Sequence, residues 1–441
     1  MFGTDGIRAF PYKPPLDEKS IIRIGYSYGI FLKNKYDGIL NVFLSKDTRK
    51  SSNYIEKHLI KGINLSGLTV LRLGVLPTAS LSIFTAKYPG SAGIMVTASH
   101  NNYRYNGIKF LNPDGEKITK NDEKYIMGVF KQGTKKTNSK IKNINYENSL
   151  QEYTNEIINK LQGFKFTKFK LALDLSNGAS FKATPTILSK LKIDFKSISV
   201  LPNGLNINRN CGVENYKKIG SYVKKNKFDF GVAIDGDADR IIFVDKNGRF
   251  IEGDKILKFI AYNILKNKDS LVTTVMTNNI LDATLKKKGI SVIRTDVGDK
   301  NVYSKMKELS APFGGENSGH YIFRDYLNTS DANLNLLLIL KTLGENKWNF
   351  DMISKIRLNP NILKSFDITK KKPLSSIPEV QNFIKDFKKK YGLSAFLNIR
   401  YSGTENKIRI LVQYHRLDVI HQEIGKFEEI VNYLNYDKAQ R

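Results

Sequence analysis

Short apolar runs that stop abruptly in polar turns of small residues constrain this chain more than any other feature. Val42-Phe43-Leu44 runs into Ser45-Lys46-Asp47-Thr48-Arg49, Gly93-Ile94-Met95-Val96 into Thr97-Ala98-Ser99-His100-Asn101, and Gly231-Val232-Ala233-Ile234 into Asp235-Gly236-Asp237-Ala238-Asp239-Arg240. A run without polar alternation is buried on both faces, so it belongs to a central strand of a sheet covered by helices. The turn at the end of such a strand is where an open α/β sheet presents its ligand groups. The pattern predicts an α/β protein whose chemistry sits on strand-ending loops.

The same pattern divides the 441 residues. Thr69-Val70-Leu71 completes a first unit, and the polar, Lys/Asn-rich stretch 120–160, with helical segments on either side of 131–144, predicts a boundary near 150. A second unit starts at Lys170 to Asp174, turns at Asn177-Gly178-Ala179 and returns through Phe228 to Ile234. A third follows the turn Asp245-Lys246-Asn247-Gly248, with Leu271 to Val275 and Ser291 to Arg294 as central strands. Lys370-Lys371-Lys372-Pro373 reads as a linker into a last segment whose strands, Ala395 to Ile399 and Ile408 to Val412, bracket Arg400-Tyr401-Ser402-Gly403-Thr404-Glu405. The expected domains are 1–150, 151–250, 251–368 and 369–441: three α/β units and an α+β tail. No short-period repeat points to a solenoid.

Charge narrows the function classes less than its size suggests. The chain carries 71 Lys and Arg against 42 Asp and Glu, a formal net charge of +29. Much of the excess lies in runs such as Lys286-Lys287-Lys288, which lack interleaved aromatic residues and read as solvated faces, so no specific nucleic-acid partner is expected. Such a field helps attract a phosphorylated metabolite. The single cysteine, Cys211, excludes an intrachain disulfide and fits a reducing, cytoplasmic setting. The opening eight residues lack the basic-then-apolar pattern of a signal peptide, and no window approaches the roughly 18 apolar residues of a membrane span.

Four turns carry chemistry. Asp235, Asp237 and Asp239, separated by small residues after a buried strand, converge oxygens on a hard divalent cation such as magnesium; without one they would repel each other. Arg240 beside them offsets charge or grips an anion. The hydroxyl of Ser99 is able to carry a phosphoryl group, although an ordinary turn with a structural His100 fits that stretch alone. Lys109, past the Tyr105-Asn106-Gly107 turn, either faces water or neutralises a phosphate. Glu316 and Ser318, preceded by Gly314 and Gly315, suit adjacent sugar hydroxyls, and His320 is able to move a proton near neutral pH. Arg400, Ser402, Gly403 and Thr404 suit a nonreacting phosphate, with Arg409 supporting them from the next strand.

In order and spacing these motifs, together with Phe2-Gly3-Thr4-Asp5-Gly6-Ile7-Arg8, Lys46-Asp47-Thr48-Arg49 and Leu205-Asn206-Ile207-Asn208 followed by Cys211-Gly212, resemble the α-D-phosphohexomutase superfamily over essentially the whole chain, and most closely its glucosamine branch. The resemblance implies three related mixed-sheet α/β domains plus a C-terminal α+β domain around a central cleft. It implies a phosphoserine at Ser99, magnesium on Asp235, Asp237, Asp239 and Ser99, and positive groups at Arg8, Lys109 and Arg240 around the reaction centre. Glu316 and Ser318 then form the sugar loop, Arg400, Ser402, Gly403 and Thr404 the distal phosphate clamp, and His100 or His320 a proton-transfer or positioning residue. The implied activity interconverts glucosamine 6-phosphate and glucosamine 1-phosphate, with glucosamine 1,6-bisphosphate as intermediate and activator. The partner is a phosphorylated hexosamine, and a homodimer is also an expectation. A phosphomannomutase/phosphoglucomutase and a noncatalytic basic anion-binding protein are the competing readings. Several positions depart from the family pattern: Asn102, Tyr105, Ala9, Val213-Glu214, Lys300 and Asp331-Ala332. None of them removes the phosphoryl carrier or a metal ligand.

Overall fold

The computed structural model describes residues 1–3, 5–135, 143–166, 168–402 and 405–436, which form four successive sheets. The first sheet has six strands in the order Ile7–Ala9, Asn106–Leu111, Ser91–Val96, Asn41–Lys46, Thr69–Val75, Asn143–Asn145. The second has five, in the order Phe250–Ile251, Ile241–Asp245, Phe230–Ile234, Lys170–Asp174, Asp194–Ile198, and the third has four, Ser291–Thr295, Ser270–Thr274, Phe313–Glu316, His320–Phe323. The strands fall on the apolar runs, with ends shifted by a residue or two.

One four-strand arrangement recurs in these sheets. Asn41–Lys46, Lys170–Asp174 and Ser270–Thr274 each pair in parallel with a strand on both sides, and the inner of those neighbours then pairs with an antiparallel strand. The connection into that antiparallel strand is short. It holds Thr97 to Tyr105 in the first domain, Asp235 to Arg240 in the second and Asn317 to Gly319 in the third. Three of the four chemistry-bearing turns of the sequence are thus the same topological position in three related domains.

The domains are packed on shared apolar material. One core runs from Phe43, Leu73 and Met95 of the first sheet through Leu171, Leu173 and Val232 of the second to Leu271, Phe313 and the helix Ala332–Glu345. A second core lies on the other face of the first sheet, under the helices Glu18–Lys35 and Ser52–Leu65. These uninterrupted apolar strands bury close to their full side-chain area, worth about 1.5–3 kcal/mol for each large aliphatic residue, and so fix where the turns at their ends stand.

The last domain has a core of its own, built from Val380, Phe383, Ile408, Ile410, Ile420 and Phe427 among others. Its antiparallel sheet runs Asn361–Asp367, Lys407–Gln413, Phe396–Tyr401, with the helices Pro378–Tyr391 and Leu417–Tyr436 supplying the apolar cover. Asn361–Asp367 lies ahead of the lysine-rich linker, so this sheet begins before position 369. Its alternating Ile362, Lys364 and Phe366 give a half-exposed strand in place of an apolar run. No described helix is long and apolar enough to cross a membrane.

Candidate active site

The three equivalent turns meet at a cavity of about 590 Å³ lined by residues of the first three domains, among them Arg8, Ser99, His100, Lys109, Asp239, Arg240, Glu316, Ser318 and His320. Their approach is close enough to exclude a side chain at two points. A Cβ on Gly236 would stand 2.5 Å from the Ser99 carbonyl oxygen, and one on Gly319, where φ is +94°, would stand 2.3 Å from the carbonyl oxygen of Ile241. Glycine is required at both because backbone packs on backbone across a domain boundary.

Ser99 stands at φ +50°, a left-handed conformation that a non-glycine residue holds only when its surroundings determine it. Here they do. The buried Arg49 guanidinium donates to the backbone carbonyls of Ser99 (2.9 Å), Asn101 (2.7 Å), Tyr105 (3.0 Å) and Asn102 while pairing with Asp47 at 2.7 Å. Asn208 Nδ2 donates to the same Ser99 and Asn101 carbonyls at 2.8 and 2.9 Å, and the Ser99 amide donates to Thr97 Oγ1 at 2.9 Å. Arg8 reaches Asn101 Oδ1 at 2.9 Å. The unusual Asn102 and Tyr105 serve this frame through their carbonyls, which any residue supplies, and the Tyr105 ring stacks on Phe10 at 4.5 Å.

The framed hydroxyl points at the aspartates: Ser99 Oγ donates to Asp235 Oδ2 at 2.7 Å. Ligand oxygens of Asp235, Asp237 and Asp239 lie within 4.8 Å of one another, all buried. Burial and the charges of Asp239 and Asp237 push the Asp235 carboxyl well above its usual range, a penalty that a divalent cation among the three would remove. Asp237 Oδ1 and Asp239 Oδ1 are buried without a hydrogen-bond partner among the described residues, as inward-facing ligand atoms would be. Position, charge and donor type therefore fit a magnesium-class ion.

Lys109 does not face water. Its ammonium lies 2.8 Å from both Asp237 Oδ2 and Asp239 Oδ2 and 3.0 Å from Asp5 Oδ2. Burial disfavours its charge, but those carboxylates outweigh burial and hold its pKa well above normal. Thr78 Oγ1 also donates to Asp237 Oδ2, at 2.7 Å.

Across the cavity, Glu316 accepts from the Gly298 amide at 3.1 Å, while the buried Ser318 hydroxyl has no hydrogen-bond partner among the described residues. The buried His320 imidazole places Nε2 3.3 Å from Asp299 Oδ2. His100 Nδ1 is 3.3 Å from Ser99 Oγ. Burial, then Arg240 and Arg8, push the His100 pKa down to about 4, so its ring is neutral at pH 7.

The fourth turn stands at the edge of the cavity. Arg400 and Arg409 are directly opposite on antiparallel strands, and Arg400 Nη2 reaches the Met276 sulfur, a cavity-lining group, at 3.8 Å. Burial and then Arg409 lower the Arg400 pKa, as two adjacent guanidiniums in need of an anion would. Arg409 pairs with Glu405 at 3.0 Å, and Lys371 Nζ donates to the Ser402 carbonyl at 2.6 Å. Gly403 and Thr404 lie outside the described residues.

Asp5, Asp47, Arg49 and Asn208 lie inside the sequence motifs, but their work shows only in the fold, and Thr78, Lys117 and Asp299 carry no local signal in the sequence. Lys300 turns from the cavity to Glu123 of the first domain at 2.6 Å, and Asp331 caps the helix Ala332–Glu345 through the amides of Asn333 and Leu334.

Three family descriptions match in succession: phosphoglucomutase/phosphomannomutase α/β/α domain I over residues 1–137, domain II over 151–248 and domain III over 252–356. Phosphoglucosamine mutases of Campylobacter curvus and Aliarcobacter butzleri are each 35% identical, the first over 97% of this chain and 98% of its own length, the second over 94% and 95%. A solved phosphoglucomutase/phosphomannomutase family protein of Burkholderia thailandensis superposes with a TM-score of 0.83 at 20% identity, covering 98% of this chain and 97% of that one.

Proposed function

The chain belongs to the phosphoglucosamine mutases of the α-D-phosphohexomutase superfamily, and on that premise we propose that it interconverts glucosamine 6-phosphate and glucosamine 1-phosphate in the cytoplasm, through phosphorylated Ser99 and a bound glucosamine 1,6-bisphosphate. The observation that carries the reading is the Ser99 hydroxyl, framed in a left-handed turn and 2.7 Å from the Asp235 carboxylate, in the same cavity as Glu316 and Ser318.

Asp235, Asp237, Asp239 and the phosphorylated Ser99 would hold magnesium, which supplies positive charge against the phosphoryl oxygens. The protein does the rest. Glu316 and Ser318 orient the sugar hydroxyls so that the oxygen at C1 or C6 faces the phosphorus on Ser99. That oxygen forms the new P–O bond as the P–Oγ bond breaks. The hydroxyl proton passes to His320, whose imidazolium is stabilised by Asp299, and the released Ser99 Oγ takes a proton from the Lys109 ammonium, which recovers it when Ser99 attacks in the second exchange. Lys109, Arg8 and Arg240 offset charge on the phosphoryl group in flight. Arg400, Ser402, Gly403, Thr404 and Arg409 hold the nonreacting phosphate. After the bisphosphate turns end for end, its other phosphoryl group returns to Ser99 by the reverse exchange, the proton comes back from His320, and the isomer leaves. A homodimer belongs to the same proposal and is read by sedimentation.

The test is turnover of glucosamine, glucose and mannose phosphates side by side, with magnesium and catalytic bisphosphate. A kcat/KM for glucosamine phosphate at least about tenfold above the others is expected, the discrimination that one matched polar contact supplies. Preference for glucose or mannose phosphate would move the chain to another mutase branch.

A further inference from the structure

A chain of alternating charges crosses from the aspartate triad to His320. Lys109 Nζ contacts Asp237 and Asp239 at 2.8 Å and Asp5 Oδ2 at 3.0 Å. Asp5 Oδ2 is 3.0 Å from Lys117 Nζ. Lys117 donates in turn to Asp299 Oδ2, which stands 3.3 Å from His320 Nε2. Asp5, Lys109 and Lys117 come from the first domain, the triad from the second, Asp299 and His320 from the third.

Lys117 differs from the other members in where it stands. Asp5, Lys109, Asp239, Asp299 and His320 line the catalytic cavity. Lys117 lines instead a second cavity, of about 390 Å³, between the first and third domains, with its side chain only 9% exposed. Burial disfavours its charge, but Asp299 and Asp5 outweigh burial and keep the ammonium protonated. Other polar contacts also join these two domains: Lys300 to Glu123 at 2.6 Å, and Lys307 and Tyr303 to Glu116 at 2.8 and 2.9 Å. Docking of the domains is therefore shared. Among the described residues, only Lys117 bridges Asp5 and Asp299.

Resting on the reading of His320 as proton carrier, we propose that Lys117 is a positioning residue of the phosphoryl exchange: one ammonium behind the cavity wall fixes Asp299 beside His320 and Asp5 beside Lys109. Without it, two carboxylates that converge on one cation face each other with no charge between them, Asp5 keeping only Lys109, and the like charges push Asp299 away from the imidazole and Asp5 away from Lys109. The distal phosphate clamp is on another domain and is untouched. Loss of Lys117 should therefore lower kcat and leave KM nearly alone.

Lys117→Met, Lys117→Arg, the pair variant Lys117→Met/Asp299→Asn and the control Lys120→Met, a lysine that lines only the second cavity, are compared by steady-state kinetics and thermal unfolding. All are measured on whichever sugar phosphate the wild type converts, so a wrong sugar overturns the proposed substrate and leaves this comparison intact. In Lys117→Met, kcat is expected to fall at least tenfold with KM within threefold. Lys117→Arg should recover at least a third of the wild-type kcat, and Lys120→Met should match the wild type within twofold. The pair variant, which removes both charges, should regain the wild-type unfolding temperature while kcat stays at least tenfold down. If Lys117→Met does not fold, Lys117→Gln, which removes the charge but keeps a polar side chain and leaves Asp299 in place, carries the test with the same expected fall in kcat, and wild-type kcat in it would overturn the proposal. Wild-type kcat in Lys117→Met, or full recovery of kcat in the pair variant, would reduce Lys117 to a structural ion-pair partner and overturn the proposal.

Discussion

The serine turn and the distal clamp are both built from arginines and hydroxyls, yet the protein treats their charges in opposite ways. Around Ser99, Arg49 is fully buried and bonded to four backbone carbonyls and the Asp47 carboxylate, and Lys109 contacts three carboxylates. In the clamp, Arg400 and Arg409 are half-buried and side by side, with a carboxylate for Arg409 and a methionine sulfur for Arg400. Charge that shapes a reaction centre has to be fixed before the substrate arrives, because reorganising it during the reaction would raise the barrier. Charge that recognises a phosphate has to be left for the phosphate to satisfy. In the proposed cycle the clamp also accepts the phosphate from either end of the bisphosphate, which favours surplus positive charge over a close-fitting neutral pocket.

That contrast breaks most severely at Arg49. Arg49→Met leaves Asp47 buried without its cation and takes one donor from each of four carbonyls, and should cost about 3–5 kcal/mol of stability, the usual result of removing one side of a buried ion pair. Urea unfolding reads it, and a loss under 1 kcal/mol would mean that the turn holds its shape without the guanidinium. A smaller effect is expected under the aspartate turn, where the Ser330 hydroxyl and the Ala332 amide donate to the carbonyls of Asp239 and Ala238. Burial raises Asp331 from its usual 3.8 to about 6, against the bonds from Tyr153 and the Leu334 and Asn333 amides that favour its charge. The folded state therefore holds this proton to higher pH than the unfolded chain does. The stability it contributes is complete below about pH 4 and is lost as pH rises through about 6, a change of about 3 kcal/mol. Asp331→Asn, which keeps the helix cap, should lose that pH dependence; parallel stability curves from pH 4 to 7 would contradict it. The smallest change belongs to the clamp, where Arg400→Ala should raise KM about 10–100-fold through the lost charge-assisted bonds, about 1.5–3 kcal/mol, with no change in unfolding temperature. A destabilised Arg400→Ala would make the clamp another preformed frame and erase the distinction.

The legible parts of this protein were those written in short stretches of chain. Continuous apolar runs marked the central strands, and polar turns after them marked Ser99, the three aspartates and Glu316-Ser318, because strand and ligand loop are neighbours in sequence. The α/β architecture and the family resemblance are both legible on that basis. The strand Asn361–Asp367 was harder to read, since a half-exposed strand in a small domain alternates and resembles a polar connector. The supports of the site were not legible for a different reason. Arg49 acts on carbonyls about fifty residues away, Thr78 on Asp237 and Lys117 on Asp299, and each looks in sequence like an ordinary polar residue until folding brings its partner. The threefold recurrence of the domains is legible only through the family resemblance, because it is kept in topology and not in residues.

The central claim, that Ser99 is a preformed phosphoryl carrier, is tested most directly by following labelled phosphate. Protein incubated with magnesium and glucosamine 1,6-bisphosphate labelled in both phosphoryl groups should take up one label per chain at Ser99, located by peptide mass analysis. Unlabelled glucosamine 6-phosphate should then discharge that label into sugar phosphate at a rate no slower than turnover, while Ser99→Ala takes up none and loses turnover. Label on another residue, or a Ser99→Ala protein that still turns over in the presence of bisphosphate, would contradict the account.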